Sequence, residues 1–171
     1  MKRRYAIASA ELVASTPLKE TFELVGSIDP THFYKKYGPL PAVMEVREAK
    51  GKWNKVGSTR LLLLSDWGSV RERVTDVRTP TFFAYDSKDF QKIFGRLVYG
   101  SRAEWSFAEV PGGTLVHWNY SFHPRPKQAL AVRAIVLFFW GPYMHKTLRK
   151  IVREVELEFA ARTNRVQKVD A

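Results

Sequence analysis

Short runs of apolar and β-branched residues, divided at close intervals by turn formers, fill the middle of the chain. Ala42 to Ala49, Gly57 to Leu64, Ser69 to Arg78 and Thr81 to Asp86 are separated by Lys50-Gly51-Lys52, Asp66-Trp67-Gly68 and Thr79-Pro80. Two longer runs, Tyr99 to Val110 and Thr114 to His123, flank Pro111-Gly112-Gly113. Consecutive strands joined by turns this short must pair antiparallel, because a parallel crossover needs a dozen or more residues. Ahead of them, Arg4 to Ala14 reads as a first strand. Ser15-Thr16-Pro17, with Glu20, then predicts a helix start with a hydroxyl cap, and Leu18, Phe22 and Val25 follow at helical spacing up to Gly26. Asp29-Pro30 opens a second short helix holding His32, Phe33 and Tyr34.

Alternation along each strand assigns its faces. Val116, Trp118, Tyr120 and Phe122 point one way on the last strand, and Ala103, Trp105 and Phe107 do so on the one before. These positions need an apolar cover. The C-terminal segment supplies one, since Met144, Leu148, Ile151, Val152, Val155 and Phe159 recur on one helical face after Gly141-Pro142. The fold class predicted is α+β, one domain over residues 1–171, with a long C-terminal helix across a strongly curved antiparallel sheet.

That cover leaves open whether the space beneath is filled or hollow. Tyr85, Tyr99, Trp105, Trp118 and Tyr120 are expected on the concave side, facing Trp140, Tyr143, Met144 and Leu148 of the helix. Such rings either pack a core or line a pocket with apolar walls and a few polar groups. The hairpin at Asp66-Trp67-Gly68 adds a sharper feature. Centred on Trp67, it sets Leu62 opposite Glu72 and Arg60 opposite Val74, and turns Arg60, Leu62, Leu64, Val70, Glu72 and Val74 inward. An arginine and a glutamate on a greasy face are costly unless they pair or meet a polar ligand.

Composition removes several alternatives. With no cysteine in 171 residues, disulfides, zinc thiolates, iron–sulfur clusters and cysteine nucleophiles are excluded. At 45% hydrophobic and 26% charged residues the chain is globular. The net charge of +11 is spread along the chain without a basic tail, and no helix-turn-helix, zinc-finger or RNP-like string accompanies it, so nucleic acid is not the expected partner. The four histidines, His32, His117, His123 and His145, show no metal-ligand spacing, and no phosphate or dinucleotide fingerprint occurs; no metal and no cofactor are expected. Met1 to Arg4 followed by Tyr5 to Ala10 imitates a secretion signal, but the apolar stretch ends at Glu11 after six residues, which predicts mature, cytoplasmic protein.

Val56-Gly57-Ser58-Thr59-Arg60, Asp66-Trp67-Gly68, Val70-Arg71-Glu72-Arg73-Val74-Thr75-Asp76, Pro80, Tyr85, Ala103-Glu104-Trp105-Ser106-Phe107 and Gly112-Gly113-Thr114-Leu115-Val116-His117-Trp118 occur in that order. Together they resemble the polyketide cyclase/dehydrase and lipid transport branch of the START-like, helix-grip (SRPBCC) superfamily, over roughly residues 4 to 160. The resemblance implies a seven-stranded sheet gripping the long helix, two short helices after the first strand, and an internal cavity for a hydrophobic small molecule, a lipid or an aromatic polyketide-like compound. Arg60 and Glu72 match its recurring charged positions, and Trp105 and Trp118 its aromatic strand positions. Relatives include carriers as well as cyclases and share no catalytic motif. Binding is therefore the first expectation. A cyclase, aromatase or dehydratase is the alternative, with Arg60 stabilising an enolate and Glu72, Tyr85 or Tyr120 moving a proton.

The sequence departs from that family at His32-Phe33-Tyr34, at Tyr37-Gly38-Pro39 and in the very apolar Val132 to Trp140 run. Two readings of that last run stand. It either covers the sheet as a buried helix or, flanked by Lys127, Arg133 and Lys146, makes transient contact with an anionic membrane.

Overall fold

The computed structural model describes residues 5–169, with side chains described through residue 165. Strand β1 (Ala6–Ala14) is followed by helices α1 (Leu18–Gly26) and α2 (Pro30–Phe33). Strands β2 (Val43–Lys50), β3 (Thr59–Leu64), β4 (Ser69–Arg78) and β5 (Phe82–Lys88) come next, then helix α3 (Lys92–Leu97) and strands β6 (Val98–Val110) and β7 (Gly113–Pro124). A final helical stretch comprises α4 (Ala129–Ile135), a π-helical turn (Val136–Trp140) and α5 (Gly141–Val169). All seven strands form one antiparallel sheet in the order β1-β7-β6-β5-β4-β3-β2. This is the α+β class expected from the residues, in the helix-grip arrangement that the resemblance implied. Of the signal-like N-terminal segment, Met1 to Arg4 fall outside the described residues, and Ala6 to Ala10 pair with β7.

The covered face follows the alternation. Ala103, Trp105, Phe107, Val116, Trp118, Tyr120 and Phe122 are buried beneath Met144, Leu148, Ile151, Val152 and Val155 of α5. Trp105 and Trp118 stack at 4.7 Å between ring centroids and 13° between planes, Phe83 lies against Trp105 at 5.9 Å, and Phe107 joins Phe22 of α1 at 5.5 Å. One half of the concave side is therefore solid.

Local chemistry corrects several expectations. No hydroxyl caps α1: its N-cap is Pro17, and the buried Thr16 hydroxyl instead lies 2.6 Å from that of Thr21. Asp29 does cap α2, accepting from the Thr31 amide at 2.9 Å, but Tyr34 stands at the C-cap and not inside the helix. Between β3 and β4 the Trp67 amide donates to the Leu64 carbonyl, and Trp67 takes a left-handed φ of 64°. That closes the hairpin around Asp66 and not Trp67. Arg60 then faces Glu72, and Leu62 faces Val70. The slip is two residues, so the predicted inward face survives while the partners change.

Gly141-Pro142 opens α5 as expected, yet the chain before it is already helical. Proline has no amide hydrogen to give the Phe138 carbonyl, and the Gly141 amide reaches back five residues to Val136, widening the turn. Among the described residues no helix is long and apolar enough to cross a membrane.

Candidate functional site: a half-filled cavity with a buried ion pair

The other half of the concave side holds a cavity of about 80 Å³. Its walls come from Arg60, Leu62 and Leu64 of β3, Val70 and Glu72 of β4, Tyr85 of β5, Tyr120 and Phe122 of β7, Trp140 of the π turn and Tyr143 of α5. Tyr34, Leu40, Pro41 and Val43 close it on one side, and Phe90 and Phe94 on another. Space for one water takes roughly 10–15 Å³, and sites for drug-sized ligands run to about 300–1,000 Å³. The preformed space thus accepts a small ring or the head of a larger molecule.

Arg60 and Glu72 meet as direct cross-strand neighbours in this apolar setting, 9% and 5% exposed. Arg60 Nε donates to Glu72 Oε2 at 2.7 Å. The guanidinium carbon lies 3.7 Å from the centre of the Trp53 ring, a cation–π contact strengthened by burial. Glu72 Oε1 accepts from the Ser87 hydroxyl at 3.3 Å; Ser87 lies 3.5 Å from the Tyr120 hydroxyl, and Tyr120 lies 2.9 Å from Ser101. An ion pair thus ends in a chain of hydroxyl groups running under the cavity floor.

The tyrosines around this pair are held neutral. Burial, reinforced by the charge of Glu72, pushes the Tyr120 phenol up to about 12. Tyr34 and Tyr85 are raised further, again chiefly by burial. Burial also raises Tyr143 to about 12. At neutral pH these groups are donors and weak acceptors, and none is poised to take a proton.

Among the described residues neither Nη of Arg60 hydrogen-bonds to protein. The buried indole Nε1 of Trp140 likewise has no partner, and nor does that of Trp118, whose ring is 6.5 Å from the Trp140 ring. On the cavity wall the buried groups left without a partner among the described residues are the Trp140 indole N–H and the Tyr143 hydroxyl, and a buried polar group without a partner is expensive.

Of the residues singled out in the sequence, Arg60, Glu72, Tyr85, Tyr120, Trp140 and Tyr143 come together on the cavity wall. Trp105, Trp118, Met144 and Leu148 are buried but belong to the solid half, outside the lining. Tyr99 is a correction: it is 56% exposed on the outer face, beneath the Arg125 guanidinium at 4.5 Å. The pairing of β6 with β7 shifts by one residue between Val98 and Gly100, and that bulge reverses the side on which Tyr99 stands.

Sequence reasoning missed Tyr34, Leu40, Trp53, Phe90 and Phe94. A tryptophan within the otherwise polar Lys52 to Lys55 was a signal for Trp53. Phe90, Phe94 and Leu97, at helical spacing, could have revealed α3.

The sequence matches the family described as polyketide cyclase/dehydrase and lipid transport over residues 8–156. No curated protein matches the chain. Among solved structures, Thalictrum flavum norcoclaurine synthase, a point mutant in complex with a transition state analogue, superposes with a TM-score of 0.68 at 11% identity, covering 94% of this chain and 99% of that one. The di-domain ARO/CYC protein StfQ of the steffimycin biosynthetic pathway gives 0.67 at 10% identity, covering 92% of this chain and 52% of its own. Ara h 8.0201 gives 0.59 at 13% identity, covering 89% and 98%. These likenesses establish the helix-grip fold, and the match over residues 8–156 establishes the lineage: the chain belongs to the polyketide cyclase/dehydrase and lipid transport family.

Proposed function

We propose that the chain binds a small hydrophobic molecule, ring-shaped or ring-headed, that presents a neutral oxygen acceptor such as a ketone or ester carbonyl to Arg60. One observation carries this reading: a guanidinium nine-tenths buried borders an apolar cavity, and among the described residues its hydrogen bond to protein runs from Nε, leaving both Nη groups unbonded. Glu72 already neutralises Arg60, so a carbonyl can accept from the free N–H groups without bringing another charge into a low-dielectric space. A carboxylate would add a second anion beside Glu72 and bear its own desolvation.

Binding is favoured over cyclase or dehydratase chemistry by the state of the groups present. No histidine lines the cavity among the described residues, Glu72 is engaged by Arg60 and Ser87, and the phenol of Tyr120 is held at about 12. Proton transfer needs a group whose pKa lies near the working pH.

Native mass spectrometry of freshly purified full chain should show a co-purifying organic molecule. Fluorescence titration with 2-acetonaphthone and its isosteric hydrocarbon 2-isopropenylnaphthalene then tests the acceptor. The ketone is expected to bind at least about tenfold tighter, from one hydrogen bond to a charged donor. Equal affinities would overturn the assignment, as would a carboxylate, 2-naphthoate, binding more tightly than the ketone.

A further inference from the structure

The helical stretch before α5 is inverted relative to an ordinary surface helix. Its inner side, with Val132 and Val136, packs on the core, but its outer side is also apolar. Leu130, Leu137 and Phe138 are 81%, 68% and 67% exposed, at positions i, i+7 and i+8, with exposed alanines at 131 and 134 between them. Arg133 is the one charged residue in the stretch Ala129 to Trp140. The patch does not stop at the helix: Ile7 of β1, 58% exposed, lines a surface groove with Arg133 and Leu137.

Charge says what this surface fits. From residue 110 to residue 153 there are seven lysines and arginines and no aspartate or glutamate. Past the π turn the exposed side of the helix continues as Lys146, Arg149, Lys150 and Arg153. None of these cations, nor Arg133, forms a salt bridge among the described residues. A helix surface that is greasy at one end and basic over the following turns, with no acid before Glu154, complements an anionic lipid surface: apolar side chains enter the acyl boundary and cations meet headgroups. Arg133 can extend its head to the headgroup level while its stem stays among the leucines.

We propose that α4 and the π turn are a membrane-docking element, seating the protein reversibly on bilayers that contain anionic lipid. The proposal goes beyond the cavity reading and is independent of it. The two elements are nonetheless joined, because the turn that exposes Leu137 and Phe138 ends in Trp140, a wall of the cavity.

Co-sedimentation of the full chain with vesicles of phosphatidylcholine and phosphatidylglycerol at a 7:3 ratio tests it. The protein should partition onto these vesicles at least about tenfold more than onto pure phosphatidylcholine, and 0.5 M salt should weaken the binding, since surface attraction is screened within a Debye length. The double variant L137Q/F138Q changes only exposed side chains, and circular dichroism and thermal melting should match the parent; its partitioning should fall about tenfold or more. Arg133→Gln should lower it about fivefold, the equivalent of one surface cation. Protein left in the supernatant with anionic vesicles, or unchanged sedimentation of L137Q/F138Q, would overturn the proposal. So would a dimer, seen by light scattering and split by L137Q/F138Q, with no vesicle binding. Ketone binding in the cavity is expected to persist in both variants, so failure here and failure of the cavity reading are separately visible.

Discussion

The pairing of Arg60 with Glu72 separates what the fold requires from what a ligand requires. Replacing Glu72 by leucine leaves a guanidinium nine-tenths buried with the Trp53 and Tyr85 rings as its neighbours and no anion. Stranding one member of a buried pair costs about 3–5 kcal/mol. Arg60→Met strands Glu72 in the same way, with Ser87 its remaining donor at 3.3 Å, and also loses the stacking on Trp53. Replacing both, R60M/E72L, strands nothing, and such exchanges are neutral or stabilising in other proteins, so the double variant should stay within about 1 kcal/mol of the parent. Urea unfolding followed by circular dichroism reads the difference. With a slope of about 2 kcal/mol per M, each single variant should shift the midpoint down by about 1.5–2.5 M and the double variant by less than about 0.5 M. The same double variant should lose its preference for the ketone by about 10- to 150-fold, the worth of a hydrogen bond to a charged donor. A double variant no more stable than the weaker single one would show that the pair is needed by the sheet itself. Retention of the ketone preference in that variant would show that Arg60 does not hold the acceptor.

Three further outcomes follow from the geometry. Tyr120 titrates near 10 when unfolded and about 12 when folded, so the folded state keeps the proton longer. Its contribution is complete below pH 10 and is lost as pH rises from there through 12, and Tyr120→Phe should flatten that alkaline decline; one common tyrosinate transition near pH 10 for all seven tyrosines would contradict it. Gly113 holds φ at 145°, and a Cβ there would fall 2.0 Å from the Ala14 carbonyl oxygen, so Gly113→Ala should lower the melting temperature by about 4–8 °C; a smaller shift would mean that the β1 to β7 junction yields easily. On the outer face Arg102 bonds Asp76, Asp86 and Glu104, and its hydrogen bonds hold the carboxyls of Asp76 and Glu104 below the usual range. The stability these two confer is present above the ordinary carboxylate pKa and fades as pH falls, and Arg102→Gln should remove that acid dependence while high salt relieves the carboxylate repulsion; an unchanged acid profile by thermal melting would refute the assignment.

What could be read from residues alone depended on whether the controlling interaction was local. Alternation on β6 and β7 put Trp105, Trp118 and Tyr120 on the correct face, because a two-residue period survives any packing. It failed at Tyr99, where one bulged residue in β6 reverses the period; Gly100 inside the run was the local sign of that bulge. The inward side of the β3 to β4 hairpin was legible, but its partners were not, since they depend on Trp67 adopting the left-handed region, which a bulky residue seldom does. The long helix was evident from its apolar stripe, whereas the π turn follows from an absent amide hydrogen at Pro142 acting four residues upstream. The split between a solid half and a hollow half was not legible, because side-chain volumes from strands, helices and loops far apart in the chain decide it together. Tyr34 and Phe94 reach the cavity from segments that alternation does not describe.

The five tryptophans fall into distinct surroundings: a stacked pair in the dry half, Trp140 in the wall of the hollow, Trp53 stacked on Arg60, and Trp67 at the tip of a hairpin. Two indoles 4.7 Å apart should couple as an exciton, giving a paired far-ultraviolet band that is lost when native packing is lost and ignores occupancy. Trp53 and Trp140 should answer in the opposite sense, their emission changing on occupancy while the fold stays intact. With Trp67 silenced as phenylalanine, the molecule becomes its own dye-free sensor, reporting integrity in one band and loading in another.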